Sequence, residues 1–250
     1  MVSNRTTLEE GSSTKVLILL LSITLSLTLQ ARQLTLSVGE GAIIQEVSAL
    51  VLRQAYAELN VDMQLKVMPN ARALKAANKG QVDADVSRIK GVDAKFSNLI
   101  FIPVEINYLQ AYAFTADRKL VPTSWASLAG KRVVSVLGIK FVEKSLKKHN
   151  IEATFVPSFA QAMTLVERER ADIAVFPDIV GLTAIREAGT ETVKMRGKPL
   201  STLPLYHYLH KKNKDLAAPL TKILERMQQD GSILRIREQY MRDNNFELTH

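Results

Sequence analysis

The 250-residue sequence contains no cysteine. In an exported chain this excludes disulfides, thiolate metal sites and anchoring through a lipid-modified cysteine, so an ordinary hydrophobic core must hold the fold. Neither G-x-S-x-G nor H-E-x-x-H occurs, the spacings of a nucleophile elbow and a zinc-binding helix. Histidine is scarce, at four residues. His207 and His210 lie three apart in an extended segment and point to opposite faces, His149 closes a K-K-H-N helix end, and His250 is terminal. No metal, no cofactor and no catalytic residue is expected. An aromatic–basic recognition motif is also missing, which argues against a nucleic-acid partner. Long apolar runs are absent except for Val16 to Leu29, 14 uncharged residues, too short to span a bilayer comfortably.

That run follows Lys15 and precedes Ala31, as the apolar region of a signal peptide would. Residues 1–31 are therefore expected to be a signal peptide and the protein periplasmic, with an uncleaved anchor as the alternative. The net charge of +8 survives removal of this leader, which holds two basic and two acidic side chains. Such a surplus suits an anionic ligand, an anionic membrane surface or plain solubility. With 46% hydrophobic residues, the 219 residues after Ala31 can build a core unaided.

Periodicity predicts an α/β chain. Leu34, Leu36 and Val38 alternate as a strand ending at Gly39-Glu40-Gly41. Ile43 to Leu59 reads as a helix with Ile44, Val47, Leu50, Val51 and Ala55 on one side. Met63 to Val67 is a second strand. In M-P-N-A-R-A-L-K-A-A-N-K-G-Q-V-D-A-D-V-S-R (Met68 to Arg88), Asn70 is placed as an N-cap and Gly80 as the C-terminal stop of a helix. A third strand follows from Val82 to Ser87. Leu99 to Pro103 and Tyr108 to Phe114 read as two further strands, and the polar segment Thr115 to Pro122 as a crossing. Trp125, Leu128 and Gly130 form a compact turn in which Trp125 packs. A second β-α-β series occupies Val133 to Met195, with its last short strand at Thr192 to Met195. Leu203 to Leu209 is extended, and two helices separated by Gly231 close the chain.

Arg72 lies in the first turn of its helix, where a cation opposes the helix dipole. Arg88 lies just past a strand's C-terminal end, the edge at which open α/β sheets bind ligands. The pair reads either as an anion site or as two solvated surface cations.

Five phrases appear in order: L-T-L-S-V-G-E-G (Leu34 to Gly41), N-K-G-Q-V-D-A-D (Asn78 to Asp85), S-W-A-S-L-A-G-K-R-V-V-S-V-L-G (Ser124 to Gly138), E-R-E-R-A-D-I-A-V-F-P-D (Glu167 to Asp178) and L-T-K-I-L-E-R-M-Q-Q-D-G-S-I-L-R-I-R-E-Q-Y (Leu220 to Tyr240). The ordered set resembles the bacterial extracellular solute-binding proteins of family 3, the amino-acid-binding branch of the type II periplasmic binding fold. The resemblance implies two α/β lobes, each a mainly parallel sheet with flanking helices, joined by two crossing strands. Lobe 1 would hold residues 32–115 and 205–250 and lobe 2 residues 116–204, with crossings near Phe114 to Ala116 and Pro204 to Leu209.

The family's binding pattern is only partly present. The usual carboxylate-binding arginine position falls near Lys95, Gly138 is followed by Ile139 and Lys140 rather than hydroxyls, and Asp178 falls one residue past the acidic ammonium-binding position. The replacement would be a cationic site of Arg72, Arg88 and Lys140, with Glu40 and Glu105 at strand ends and Asp178 beside it. Solvated roles compete for Lys140 and Glu105, and an N-cap role for Asp178. The expected function is that of a non-enzymatic, monomeric binding protein. It captures a small anionic or zwitterionic solute for an ABC permease. A ligand-sensing or partner-binding module, or a dehydratase-like enzyme on the same fold, are the alternatives.

Overall fold

The computed structural model describes residues 32–39 and 43–246. The expected signal peptide and Glu40 lie outside the described residues. Within the compact unit that starts at Gln33, eight strands make one sheet in the order β2-β1-β3-β8-β4-β7-β5-β6. They are β1 (Arg32–Gly39), β2 (Val61–Met68), β3 (Ala84–Arg88), β4 (Leu99–Thr115), β5 (Val133–Val136), β6 (Ala153–Val156), β7 (Ile173–Pro177) and β8 (Lys194–His210). The helices are α1 (Ile43–Ala57), α2 (Asn70–Asn78), α3 (Lys140–Lys148), α4 (Phe159–Glu167), α5 (Asp178–Ala188), α6 (Ala217–Gln229) and α7 (Ser232–Asp243). One flank pairs β1 with β3 in parallel, and the other pairs β5 in parallel with both β6 and β7. Between the flanks β4 and β8 run antiparallel to each other. This is the α/β architecture anticipated from the alternating elements.

The two middle strands are longer than periodicity suggested. β4 covers 17 residues without a break at Pro103. Between Phe101, opposite Tyr208, and Glu105, opposite Tyr206, it carries two residues more than its partner. A proline without an N–H is tolerated at such a bulge, where the ladder is interrupted anyway. β8 likewise joins the predicted pieces at Thr192 to Met195 and Leu203 to Leu209 into one 17-residue strand. Its bulge lies between Arg196 and Ser201, where five steps of β8 oppose two of β4. Gly197 adopts φ +80° there, and a Cβ on it would overlap the Pro122 carbonyl.

Successive residues of β4 serve opposite layers, as strand geometry requires. Phe114 packs with α4 and α5, whereas Ala111 and Ala113 pack with Trp125, Leu128 and α3. Trp125 is buried, as its packing role demanded, and donates to the Ser201 hydroxyl. A further core joins α1 and α6 over β1, β3 and β4. Leu50 does not share it: the position is 42% exposed, one step off the stripe of Val47, Val51 and Ala55.

Candidate functional site

Three chain segments meet around Arg88. At the C-terminal end of β3 its Nε donates to Asp85 Oδ1 at 2.8 Å and its Nη2 to Asp85 Oδ2 at 2.9 Å. Nη1 donates to Asn70 Oδ1 at 3.1 Å. Asp85 is fully buried and also accepts from the Ser37 hydroxyl at 3.1 Å. Burial pushes its carboxyl upward, and the Arg88 guanidinium opposes that shift. Asn70 is thus the first residue of α2 and not its N-cap; Pro69 holds the cap position and no side chain caps the helix. Its carboxamide fits only because Gly39 has no Cβ, which would overlap it. At the other end of α2, Gly80 is the left-handed residue anticipated, with Gln81 N donating to Ala76 O and Gly80 N to Ala77 O.

The same rung of the sheet carries Tyr206, opposite Arg88 on one side and Glu105 on the other, and its hydroxyl donates to Glu105 Oε1 at 3.2 Å. Arg72 is exposed on α2, and no side-chain partner for it occurs among the described residues. Lys140 opens α3 and pairs with Glu143 at 2.8 Å, while Glu143 also accepts from the Gly138 amide. Lys95 lies exposed in the loop after β3.

Asp178 is not the N-cap. It is the first residue of α5, with Pro177 in the cap position, and is 3% exposed. Its Oδ2 accepts from Arg237 Nη2, while Oδ1 is buried with no hydrogen-bond partner. Burial pushes the Asp178 carboxyl upward, and Arg237 pulls it back. Arg237, from α7, also donates to Asn107 Oδ1 at 2.5 Å and stacks 4.0 Å from the Tyr108 ring. Asn107 donates on to the Ile44 carbonyl at 2.8 Å and the Ser48 hydroxyl at 3.1 Å. Ser87 donates to Ser48 at 2.9 Å, and Gln45 links the Ser87 carbonyl (2.8 Å) to the Gly39 amide (2.7 Å). A buried polar chain therefore runs from the start of α5 to the ends of β3 and β1. Sequence reasoning missed Arg237; its signal was a cation four residues from both Ile233 and Met241, on the apolar stripe of its helix.

The structure thus brings Arg88, Asn70, Tyr206 and Glu105 together, leaves Arg72 exposed on the helix that carries Asn70, and ties Asp178 to α7. A cavity of about 440 Å³ opens beside Asp178, lined by Tyr108, Tyr112, Met195, Arg237 and Met241; it includes neither Arg88 nor Lys140. Among the described residues no cluster of His, Asp or Glu is placed to hold a metal ion, and no helix is long and apolar enough to cross a membrane.

A sheet whose parallel flanks share two long antiparallel strands, with polar residues gathered at strand ends, defines the class of type II periplasmic binding proteins. Solved structures agree. A probable amino-acid ABC transporter extracellular-binding protein of Bacillus subtilis superposes with a TM-score of 0.69 at 16% identity, over 86% of this chain and 99% of that one. The unliganded open L-cystine solute receptor of Neisseria gonorrhoeae gives 0.65 at 16%, over 84% and 92%. An uncharacterized protein of Shewanella oneidensis is 29% identical over 195 residues, 76% of this chain and 74% of its own length. The model of the bacterial extracellular solute-binding proteins, family 3, matches residues 46–243, and the chain belongs to that family.

Proposed function

We propose that this protein is exported to the periplasm, where it captures a small carboxylate-bearing solute between the two flanks of its sheet and delivers it, as a monomer, to an ABC permease. It binds and does not catalyse. The carrying observation is Arg88: a guanidinium has five N–H donors, and three are used on Asp85 and Asn70. The remaining two, one on each Nη, match the two oxygens of a carboxylate. Asp85 and Asn70 hold the group in place before any ligand arrives, which reduces the ordering cost of binding. The amino-acid-binding neighbours support a solute of that size. Residues 32–115 with 205–250, and residues 116–204, would act as lobes that move about the bulges of β4 and β8, and solute contacts made from both lobes shift the population toward closure.

Thermal unfolding against amino acids and organic acids tests this, because a ligand that prefers the folded state stabilises it by about 2.7 kcal/mol at a hundredfold excess over Kd. A saturable rise in Tm with one carboxylate class is expected. A flat response across the panel would move the assignment to a partner-binding module.

A further inference from the structure

The cavity beside Asp178 shares no residue with the cluster around Arg88. At about 440 Å³ it has the size of a small-molecule site. Tyr108, Gln110 and Tyr112 of β4 form one wall, and Gly197 to Pro199 bring the bulge of β8 to another. Met195, Leu234 and Met241 add apolar surface. One buried acceptor in this wall is left open. Arg237 takes Oδ2 of Asp178, whereas Oδ1 has no hydrogen-bond partner. Burial raises the carboxyl's pKa, and Arg237 and the Ile179 and Gln110 amides oppose that shift, yet none of them closes a hydrogen bond on Oδ1. A buried oxygen in that position costs free energy until a donor reaches it. The charges along the wall balance: Arg237 offsets Asp178, and Lys198 offsets Glu238. An incoming cation would find no surplus of negative charge, and burying it unpaired is costly. A neutral O–H or N–H satisfies Oδ1 without adding charge. Burial and the Asp178 carboxylate push the Tyr112 hydroxyl up, so it stays protonated at neutral pH and is available for a second bond.

We infer that this cavity is a second ligand site, separate from the Arg88 cluster, for a small neutral molecule with an apolar body and a hydrogen-bond donor. The donor meets Asp178 Oδ1, and Met195, Leu234 and Met241 enclose the body. Because β4 and β8 both line the cavity, its occupant braces the two strands that join the flanks of the sheet. The inference does not depend on the solute-binding assignment above.

Met195 and Met241 serve as reporters inside the cavity. The test titrates the purified protein, labelled with methyl-13C methionine, with benzyl alcohol, toluene and benzylammonium at neutral pH. Met195→Leu and Met241→Leu assign the two methyl signals. The expected result is a saturable shift of both signals with benzyl alcohol, at an affinity about fivefold above that of toluene, the gain of one hydrogen bond. Benzylammonium is expected to bind more weakly than benzyl alcohol. Leu234→Trp changes a half-exposed lining residue and fills the cavity mouth, so it should weaken benzyl alcohol binding while leaving the Tm near its original value. Equal affinity for toluene overturns the role of Oδ1, and tighter binding of benzylammonium overturns the neutral class. Silent Met195 and Met241 signals, or undiminished binding in Leu234→Trp, overturn the site itself, the cavity then holding water only.

Discussion

At the residue scale, two buried groups respond to change in ways that can be measured. His207 is fully buried, its Nε2 2.8 Å from the Tyr56 hydroxyl and its Nδ1 3.1 Å from the Val86 carbonyl. A carbonyl only accepts, so the proton sits on Nδ1 and Nε2 accepts from Tyr56. Burial pushes its pKa down to about 4. Between that value and the unfolded value of about 6.5, the unfolded chain binds more protons, so stability rises with pH across the window and is lost as pH falls through it. At most about 3 kcal/mol is at stake, from about 1.4 kcal/mol per pH unit. Urea unfolding at pH 7.5 and 4.5 checks this, with His207→Gln expected to show a smaller difference. The second group is Arg88. Arg88→Ala is expected to remove solute binding and also to strand the buried Asp85, at a cost of roughly 3 kcal/mol, the low end for a broken buried pair because the Arg88 side chain is 17% exposed. Urea titration and ligand titration separate the effects: Asp85→Asn with Arg88→Gln should regain stability without regaining binding.

At the element scale, close approach decides what the helices tolerate. α5 crosses the Phe114 ring of β4 at Gly181, where a Cβ would overlap the ring. Gly181→Ala would raise helix propensity on an exposed surface. Here it is expected to lower stability by about 1–3 kcal/mol through overpacking, with partial recovery in Gly181→Ala/Phe114→Leu measured by thermal unfolding. The long strands follow a related logic. Proline in β4, and glycine with proline in β8, interrupt the alternation, which splits each into two short predicted strands. In the folded chain the same residues sit at bulges, and the ladder resumes beyond them.

At the scale of the whole molecule, Arg237 joins parts of the chain far apart in sequence. It brings α7 to the start of α5, and through Asn107 to α1. With side chains only 6% and 4% exposed, the Arg237–Asp178 pair loses far more from removal of one partner than from removal of both. Arg237→Met is expected to cost about 3–5 kcal/mol, and Asp178→Asn/Arg237→Met to recover a substantial part of it. A double-mutant cycle in urea reads the coupling; simple additivity would show that the two side chains do not act together.

The sequence by itself determined the α/β class, the helix and strand order on either side of the middle strands, the Gly80 stop and the placement of Arg88 at a strand end. These follow from hydrophobic period and local backbone preference, which act over a few residues. Only the tertiary structure decided the rest. Asn70 left the cap position to meet Arg88 across Gly39, and Asp178 at the end of β7 met Arg237, 59 residues away. Whether a buried carboxylate faces a ligand or an internal arginine depends on which distant cation the packed core places beside it.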